Sequence, residues 1–486
     1  MATQDKNSAT AAAILPLVGG AANVSSIAHC MTRLRLGLHD RSLVDDEALK
    51  AVPAVMGVVE DDTYQIVLGP GTVARVTPEF ERLVAEAGAS EPGPAAPARL
   101  DAEPHSSLPL RPSAVWDLPG GSARVYLGEG NKALVRPVIV ADGFGTGPSE
   151  LVSAWGTMEF GDYPLISELR RRGRDVVLLG FRERGASIPD NSTTARAAIL
   201  RTAAEQRGRT PLAVGGFGTG GLVTRHALAA MESRDVDHRT GLYFSYDSPH
   251  RGAWVPLALQ AFAHYIRDLD SRFSDQINSP AARQLLWRHI GEWDGAPERS
   301  AERTAFLAEM RAVGEWPRRP RLIGVANGTA DGIGTDVRAG ELALEGRGPS
   351  IAGTRLYTQS PGDDGLAARL RVVTERTHEV RTAGLPSIDG APGGTLEGFG
   401  ILADGLNALA APLGLKTDVR IRSHCFVPSV SAVDIGDLDT DDELYMDISR
   451  LPYEPSGLDE FKLASRNEGH ALVTEELSTW LLDRLP

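Results

Sequence analysis

The sequence predicts an α/β fold built in two unequal parts, and three observations carry that expectation. From about residue 113 onward, short β-prone apolar runs alternate with helical patterns, the arrangement of a mostly parallel sheet covered on both faces. Leu212–Ala229 passes from a β-prone run (Leu212–Val214) through glycines directly into a helix with Leu222, Val223 and Leu228 on its apolar side. Residues 86–112 form a Pro/Ala/Gly-rich run without periodicity, read as a semi-extended linker between a compact stretch at 8–85 and a large unit at 113–486.

In the first stretch, Ala11 to Leu17 reads as a helix stopped by Gly19-Gly20. Ser26 to Cys30 is short and β-prone. Thr32 to Leu38 alternates, with Leu34, Leu36 and Leu38 on one side and Arg33 and Arg35 on the other, which predicts a half-buried strand with an arginine-bearing open face. Asp45 to Val52 is a short helix with acids in its first turn. Val55–Val59 and Tyr64–Leu68 form a hairpin around Asp61-Asp62, and Thr77-Pro78-Glu79 starts a final helix with a capping Thr and Pro at its first position.

In the large unit, strands are expected at Ala123–Leu127, Val135–Val140, Asp175–Leu179, Leu212–Val214, Gly241–Tyr246 and Arg321–Ala326, with helices at Tyr163–Arg172 and Thr194–Glu205. Residues 254–316 are helical, contain tryptophan and exceed a simple crossover, so they read as a cap over the sheet. Residues 329–417 are Gly-rich and irregular, with one hairpin (Thr354–Thr358, Arg369–Val373). Val419–Val433 holds one more strand, and Thr474–Leu485 is the closing helix.

The chain has 486 residues, 42% of them hydrophobic, as expected of a globular protein with more than one domain. A net charge of −14 disfavours nucleic acid and anionic membrane as partners. No apolar run approaches the ~18 residues of a membrane span, so no transmembrane segment is expected. Two cysteines, Cys30 and Cys425, fall in different parts of the chain, which argues against a disulfide framework and for a reduced, cytoplasmic setting. The glycines at Gly143–Gly147 and Gly215–Gly221 lack both G-x-G-x-x-G before a matching acid and G-K-[ST], so nucleotide binding is excluded, and neither cofactor nor metal is expected.

His29-Cys30-Met31-Thr32-Arg33-Leu34-Arg35 sets a thiol at a strand end and two guanidinium groups on one face of the next strand. Nearby arginine favours the nucleophilic thiolate, and its planar fork suits phosphate oxygens. The alternative reading is a buried cysteine beside ordinary surface arginines. Val18-Gly-Gly-Ala-Ala-Asn-Val, the Cys30 segment, Val44-Asp-Asp-Glu-Ala-Leu-Lys, Gly57-Val and Tyr64-Gln-Ile-Val-Leu-Gly together resemble the enzyme IIB domain of the bacterial phosphoenolpyruvate-dependent sugar phosphotransferase system, of the glucose/sucrose/N-acetylmuramic acid type. That resemblance implies a small antiparallel sheet backed by helices and a phosphocysteine at Cys30, with Arg33 and Arg35 assisting transfer. It implies an enzyme IIA phosphohistidine as donor and a sugar held by a membrane enzyme IIC as acceptor. No enzyme IIC segment follows in this sequence, so the sugar step implies a separate membrane protein, with this chain peripheral to it.

The second constellation centres on Gly216-Phe217-Gly218-Thr219-Gly220. A strand, a sharp glycine turn and a helix make a nucleophile elbow, G-x-S-x-G, and here Gly218 stands where the serine belongs. With Asp142-Gly143-Phe144, Asp247-Ser-Pro-His-Arg-Gly, Cys425-Phe-Val-Pro-Ser-Val-Ser-Ala-Val-Asp434 and Asn467-Glu-Gly-His470, this unit resembles the α/β-hydrolase lipases and esterases. The resemblance implies Asp434 as acid (Asp437 is an open alternative), His470 as base, and the N–H groups of Phe144 and Thr219 as an oxyanion hole. Thr219 is one residue beyond the apex, a poor substitute nucleophile. His250 reads as a loop-shaping residue and His424 as a structural one.

Three functions follow. The first is a phosphoryl carrier using Cys30 with a degenerate hydrolase unit for binding or regulation. The second is an esterase or lipase using Asp434, His470 and a non-standard nucleophile. The third is a non-enzymatic regulator.

Overall fold

The structure is a computed structural model that describes residues 2–29, 33–60, 64–68, 72–88, 110–348, 350–371, 376–408, 416–451 and 455–486. The chain divides into two compact units, one of residues 1–110 with 403–414, the other of residues 111–402 with 415–486. Most of the expected linker, residues 89–109, lies outside the described residues.

In the first unit, β1 (Val24–His29), β2 (Arg33–Leu38), β3 (Gly57–Glu60) and β4 (Tyr64–Val67) form an antiparallel sheet in the order β1-β2-β4-β3. Helices α1 (Ala2–Leu17) and α3 (Val73–Gly88) pack on one another, and the short α2 (Asp46–Lys50) is capped by the Asp45 carboxylate on Ala48 N–H at 3.0 Å. Leu34 and Leu36 enter the core with Ile14, Ile66, Val76 and Phe80, while Arg35 is exposed, as the alternation predicts. Two helices start earlier than expected. α3 runs through Thr77-Pro78, because Val73 and Val76 on its first turns are buried in the same core as Phe80; that packing outweighs the breaker signal of the proline.

In the second unit, β5 (Ala114–Leu118), β6 (Gly121–Tyr126), β7 (Pro137–Ala141), β8 (Asp175–Phe181), β9 (Leu212–Phe217) and β10 (Thr240–Tyr246) are followed by β11 (Arg321–Ala326) and, near the C-terminal end, β19 (Glu460–Leu463). They form one sheet in the order β19-β11-β10-β9-β7-β8-β6-β5. Six strands are parallel, and the β5–β6 hairpin closes one edge antiparallel. One face carries α4 (Leu151–Glu159), α5 (Leu165–Arg171) and the C-terminal helix Glu475–Leu482, joined through Trp155, Leu169 and Leu481 to Val140, Leu178 and Val325. Helices α6 (Ile188–Glu205) and α7 (Thr219–Glu232) pack on one another and on the sheet. The expected helical stretch between β10 and β11 contains α8 (Leu257–Tyr265), α9 (Arg272–Ile277), α10 (Pro280–Leu285) and α11 (Ala301–Ala312).

The stretch 329–417, expected to be irregular apart from one hairpin, contains that hairpin, with Arg355 opposite Arg369, inside a larger sheet. Strands β12 (Leu342–Gly346), β13 (Arg355–Tyr357), β14 (Gly365–Leu370), β15 (His378–Thr382) and β17 (Thr417–Val419) pair antiparallel in the order β15-β14-β13-β12-β17. These strands have three to six residues, and β12 meets β17 across about seventy positions (Gly346 opposite Thr417), so neither length nor local turn chemistry reveals them. A two-stranded ribbon of β16 (Gly393–Leu396) and β18 (His424–Pro428) follows.

Asp175 ties the entrance of the large sheet together. Its fully buried carboxylate accepts from the N–H groups of Gly128 (2.8 Å), Val135 (2.6 Å) and Arg136 (3.0 Å) and from Asn131 Nδ2 (2.9 Å). Removing it strands four donors, so Asp175→Ala should destabilise this unit by on the order of 3 kcal/mol. All seven tryptophans lie in the second unit, so the urea midpoint of tryptophan fluorescence reads that unit directly, and an unshifted midpoint would refute the assignment.

Candidate functional site

In the first unit, β1 and β2 are paired up to His29 opposite Leu34. Cys30, Met31 and Thr32 themselves lie outside the described residues. Arg33 opens β2 and donates from Nη1 to Gln65 Oε1 on β4 at 2.9 Å. Arg35 stands two residues on, on the solvent side of the same strand. Both guanidinium groups lie on the face opposite Leu34 and Leu36; Arg33 is largely covered and its Nη2 pairs with Asp404 Oδ2 at 3.1 Å, while Arg35 is exposed.

In the second unit, β9 ends at Phe217 and α7 begins at Thr219, leaving Gly218 alone at the turn with φ 51° and ψ −119°. Its N–H donates to Tyr246 O at 2.9 Å, which ties the apex to the end of β10. Glycine is required on either side for a different reason. A Cβ on Gly216 would come within 2.7 Å of Ala141 O, and one on Gly220 within 2.4 Å of it, so the elbow sits directly against the end of β7.

His470 reaches this apex from the loop before the C-terminal helix. A Cβ built on Gly218 would lie 2.8 Å from His470 Nε2, so the imidazole occupies the edge of the space a nucleophile side chain would use. His470 Nδ1 pairs with Asp247 Oδ2 at 2.7 Å. Asp247 is fully buried, and its other oxygen accepts Asn327 N–H at 3.1 Å, while Ala471 N–H reaches Oδ2 at 3.3 Å. Because a carboxylate only accepts, Nδ1 carries the proton and Nε2 presents a lone pair toward Gly218.

The carboxylate that His470 meets is Asp247 and not Asp434, the residue expected from the sequence as its partner. The Asp434 carboxylate is held elsewhere, by Arg251 Nε at 2.6 Å and Trp316 Nε1 at 3.2 Å. Asp437 is not the partner either: its Oδ1 accepts the N–H of Leu438 at 2.7 Å, while His470 Nδ1 bonds Asp247. Asp247 follows β10 without a gap and adopts φ 50°, a left-handed conformation that Asp tolerates better than most residues. The signal was present in the sequence: the buried run ending at Tyr246 stops on a short acid, Asp247, followed by Ser-Pro.

Backbone strain gathers at this point. Gly218, Asp247 and Ala471 have φ of 51°, 50° and 58°, and all three border the His470–Asp247 pair. The β16–β18 ribbon holds the histidine loop: His470 N–H donates to Thr395 O at 2.7 Å, Thr395 N–H to Glu468 O at 2.8 Å, and the Phe426 ring meets the imidazole edge-on at 4.9 Å. Asn467 accepts from Thr329 N–H and Gly393 N–H, both at 3.0 Å.

The remaining candidates separate cleanly. Thr219 is the first residue of α7, buried, and the side-chain bond of His470 is made to Asp247 instead. Its N–H belongs to the first helical turn, which has no intrahelical acceptor. Phe144 lies in the loop after β7, where Gly143 N–H is already engaged by Asp142 Oδ1 at 2.8 Å. His250 is buried, joined to Ser245 Oγ at 3.1 Å and Arg225 Nη1 at 3.3 Å, and burial holds it well below its ordinary pKa, as befits a loop-shaping residue. His424 donates from Nδ1 to Cys425 O at 2.7 Å, and burial lowers its pKa to about 4. Burial, with Asp247 and Asp389 nearby, pushes the Cys425 thiol well above its usual range, which removes it as a nucleophile. Among the described residues no group of His, Cys, Asp and Glu could hold a metal ion, and no helix is long and apolar enough to cross a membrane.

Residues 12–45 match the family model described as phosphotransferase system, EIIB. A PTS system EIIBC component of Bacillus subtilis (strain 168) is 46% identical over 99 residues, covering 20% of this chain and 22% of the relative. An N-acetylmuramic acid-specific EIIBC component of Vibrio parahaemolyticus is 45% identical over 76 residues, covering 15% of this chain and 16% of the relative. The chain thus spans about a fifth of the length of the curated relatives it matches. The Bacillus licheniformis lipase BlEst2 in mature form is similar at 13% identity and a TM-score of 0.28, covering 42% of this chain and 71% of that one. The N-terminal part of the chain is a phosphotransferase-system EIIB domain, joined in one polypeptide to an α/β unit with six parallel strands and a glycine turn between β9 and α7.

Proposed function

We propose that the chain is a phosphoryl carrier that accepts phosphate on Cys30 from the phosphohistidine of an enzyme IIA and passes it toward a sugar held by a separate membrane enzyme IIC. The observation that carries this reading is the match of residues 12–45, which include Cys30, Arg33 and Arg35, to the EIIB family, beside an EIIBC relative that is 46% identical over 99 residues. The two guanidinium groups on β2 supply charge to stabilise the thiolate and to receive phosphoryl oxygens. The names of the relatives point to an amino sugar of the N-acetylmuramic acid class as acceptor. In this reading the second unit is a hydrolase scaffold that has lost acyl transfer. Without a hydroxyl at Gly218, only binding and oxyanion contacts remain, about 10³–10⁴-fold over water in a triad enzyme stripped of its nucleophile.

An esterase reading is kept alive by one observation, the His470–Asp247 pair still aimed at the elbow.

The carrier reading is tested by incubating the full chain with labelled phosphoenolpyruvate, the general phosphotransfer proteins and the cognate enzyme IIA. The wild type should take up label and Cys30→Ser should not; an unlabelled wild type would sink the reading. The hydrolase reading is tested with p-nitrophenyl acetate. Wild type should be silent, and wild-type turnover abolished by His470→Ala would restore the esterase reading. Gly218→Ser sets a Cβ 2.8 Å from His470 Nε2 at a left-handed φ, so the imidazole must move aside; with the ring moved, ester hydrolysis should rise at least about tenfold over wild type. Adding Asp247→Asn should remove that gain, whereas adding Asp434→Asn should leave it intact.

A further inference from the structure

Residues 403–414 belong to the first compact unit, although the rest of that unit ends at residue 110. They begin within α12 (Gly398–Ala408), where Ala403 and Leu406 are buried. Their sequence, Ala-Asp-Gly-Leu-Asn-Ala-Leu-Ala-Ala-Pro-Leu-Gly, carries one ionisable side chain, Asp404. The apolar positions suffice for packing; the single charge is placed on an arginine. Asp404 Oδ2 meets Arg33 Nη2 at 3.1 Å, and the two side chains are 20% and 11% exposed, so the pair is sheltered from the water and salt that weaken surface ion pairs. The other terminal nitrogen of Arg33, Nη1, donates to Gln65 Oε1 at 2.9 Å. Both arms of the planar fork with which a guanidinium grips a phosphoryl group are therefore engaged, one of them by an anion.

Resting on the carrier reading above, we propose that Asp404 is an internal competitor for phosphoryl oxygens at Arg33, and that its release from the guanidinium is a step in phosphoryl uptake. While the pair is closed, the carboxylate offsets the Arg33 charge and holds the Nη2 donor. Charge decides the competition. A phosphoryl group bears about −1.5 to −2 and three acceptor oxygens, against one negative charge and two oxygens on a carboxylate, so the incoming group displaces Asp404. Only ionic partners are exchanged at Nη2; no covalent bond of Asp404 forms or breaks, and no proton moves. Arg35, on the same face of β2, is exposed, so the gate acts at Arg33.

The test measures the initial rate at which the full chain takes up label from phosphoenolpyruvate through the general phosphotransfer proteins and enzyme IIA, under conditions in which uptake by this chain is rate-limiting. Asp404→Asn keeps the size of the side chain and removes its charge, and should raise that rate at least about tenfold, the worth of one charge-assisted hydrogen bond. Glu47→Gln removes an equal charge from a side chain of the same unit that is 87% exposed, and should leave the rate at the wild-type value, which separates a local effect from one of net charge. Hydrogen exchange on the wild type gives a reading without substitution: phosphorylation should speed exchange of the α12 amides from Ala403 onward. A rate for Asp404→Asn at or below wild type, or α12 exchange unchanged by phosphorylation, overturns this inference and leaves the carrier reading standing. Absence of label from both wild type and Asp404→Asn overturns both.

Discussion

The hydrogen bond between His470 Nδ1 and Asp247 Oδ2 fixes the arrangement of the second unit's candidate site. It joins two chain segments more than two hundred residues apart, at the carboxyl end of β10 and in the loop before the C-terminal helix. Asp247 gives up water entirely to make it, so its oxygens must be filled by protein donors, and Asn327 and Ala471 N–H supply them. That demand reaches outward. Gly394 on β16 has no room for a Cβ, which would meet Asp247 Oδ2 at 2.1 Å, so the ribbon that holds the histidine loop also closes over the acid. Left-handed backbone at Gly218, Asp247 and Ala471 persists because these bonds over-determine it.

The parts of the molecule that were legible in the sequence are those whose cause is local. The alternation Leu34, Arg35, Leu36 specifies one buried and one open face without reference to any partner. The elbow is legible for the same reason: three glycines at spacing two are dictated by the close passage of α7 over β7 and by the backbone at the apex. His470 could be placed by its position before the last helix. Asp434 could not be rejected from sequence, because its engagement with Arg251 and Trp316 depends on loops brought together only by the fold. Asp247 is inconspicuous in the sequence for the complementary reason. It sits in a polar segment with Ser248 and His250 that reads as a turn, and only the sheet order shows that this turn opens beside the elbow.

The small antiparallel sheet at β12–β15 and β17 illustrates a different limit. Each strand is too short to carry a periodic signal, and each pairing is set by residues distant in the chain. The α3 start shows tertiary packing overriding a local marker. Thr77-Pro78 has the form of a helix beginning, yet Thr77 Oγ1 instead bonds back to Val73 O at 2.8 Å within a helix already under way.

Gly218 bears on how readily such a site changes hands in evolution. A glycine codon ending in a pyrimidine is one base from a serine codon. For such a codon, one base change would return a hydroxyl to an elbow whose imidazole and buried carboxylate are still paired. The reverse exchange is equally short, and glycine relieves the steric demand of the left-handed apex.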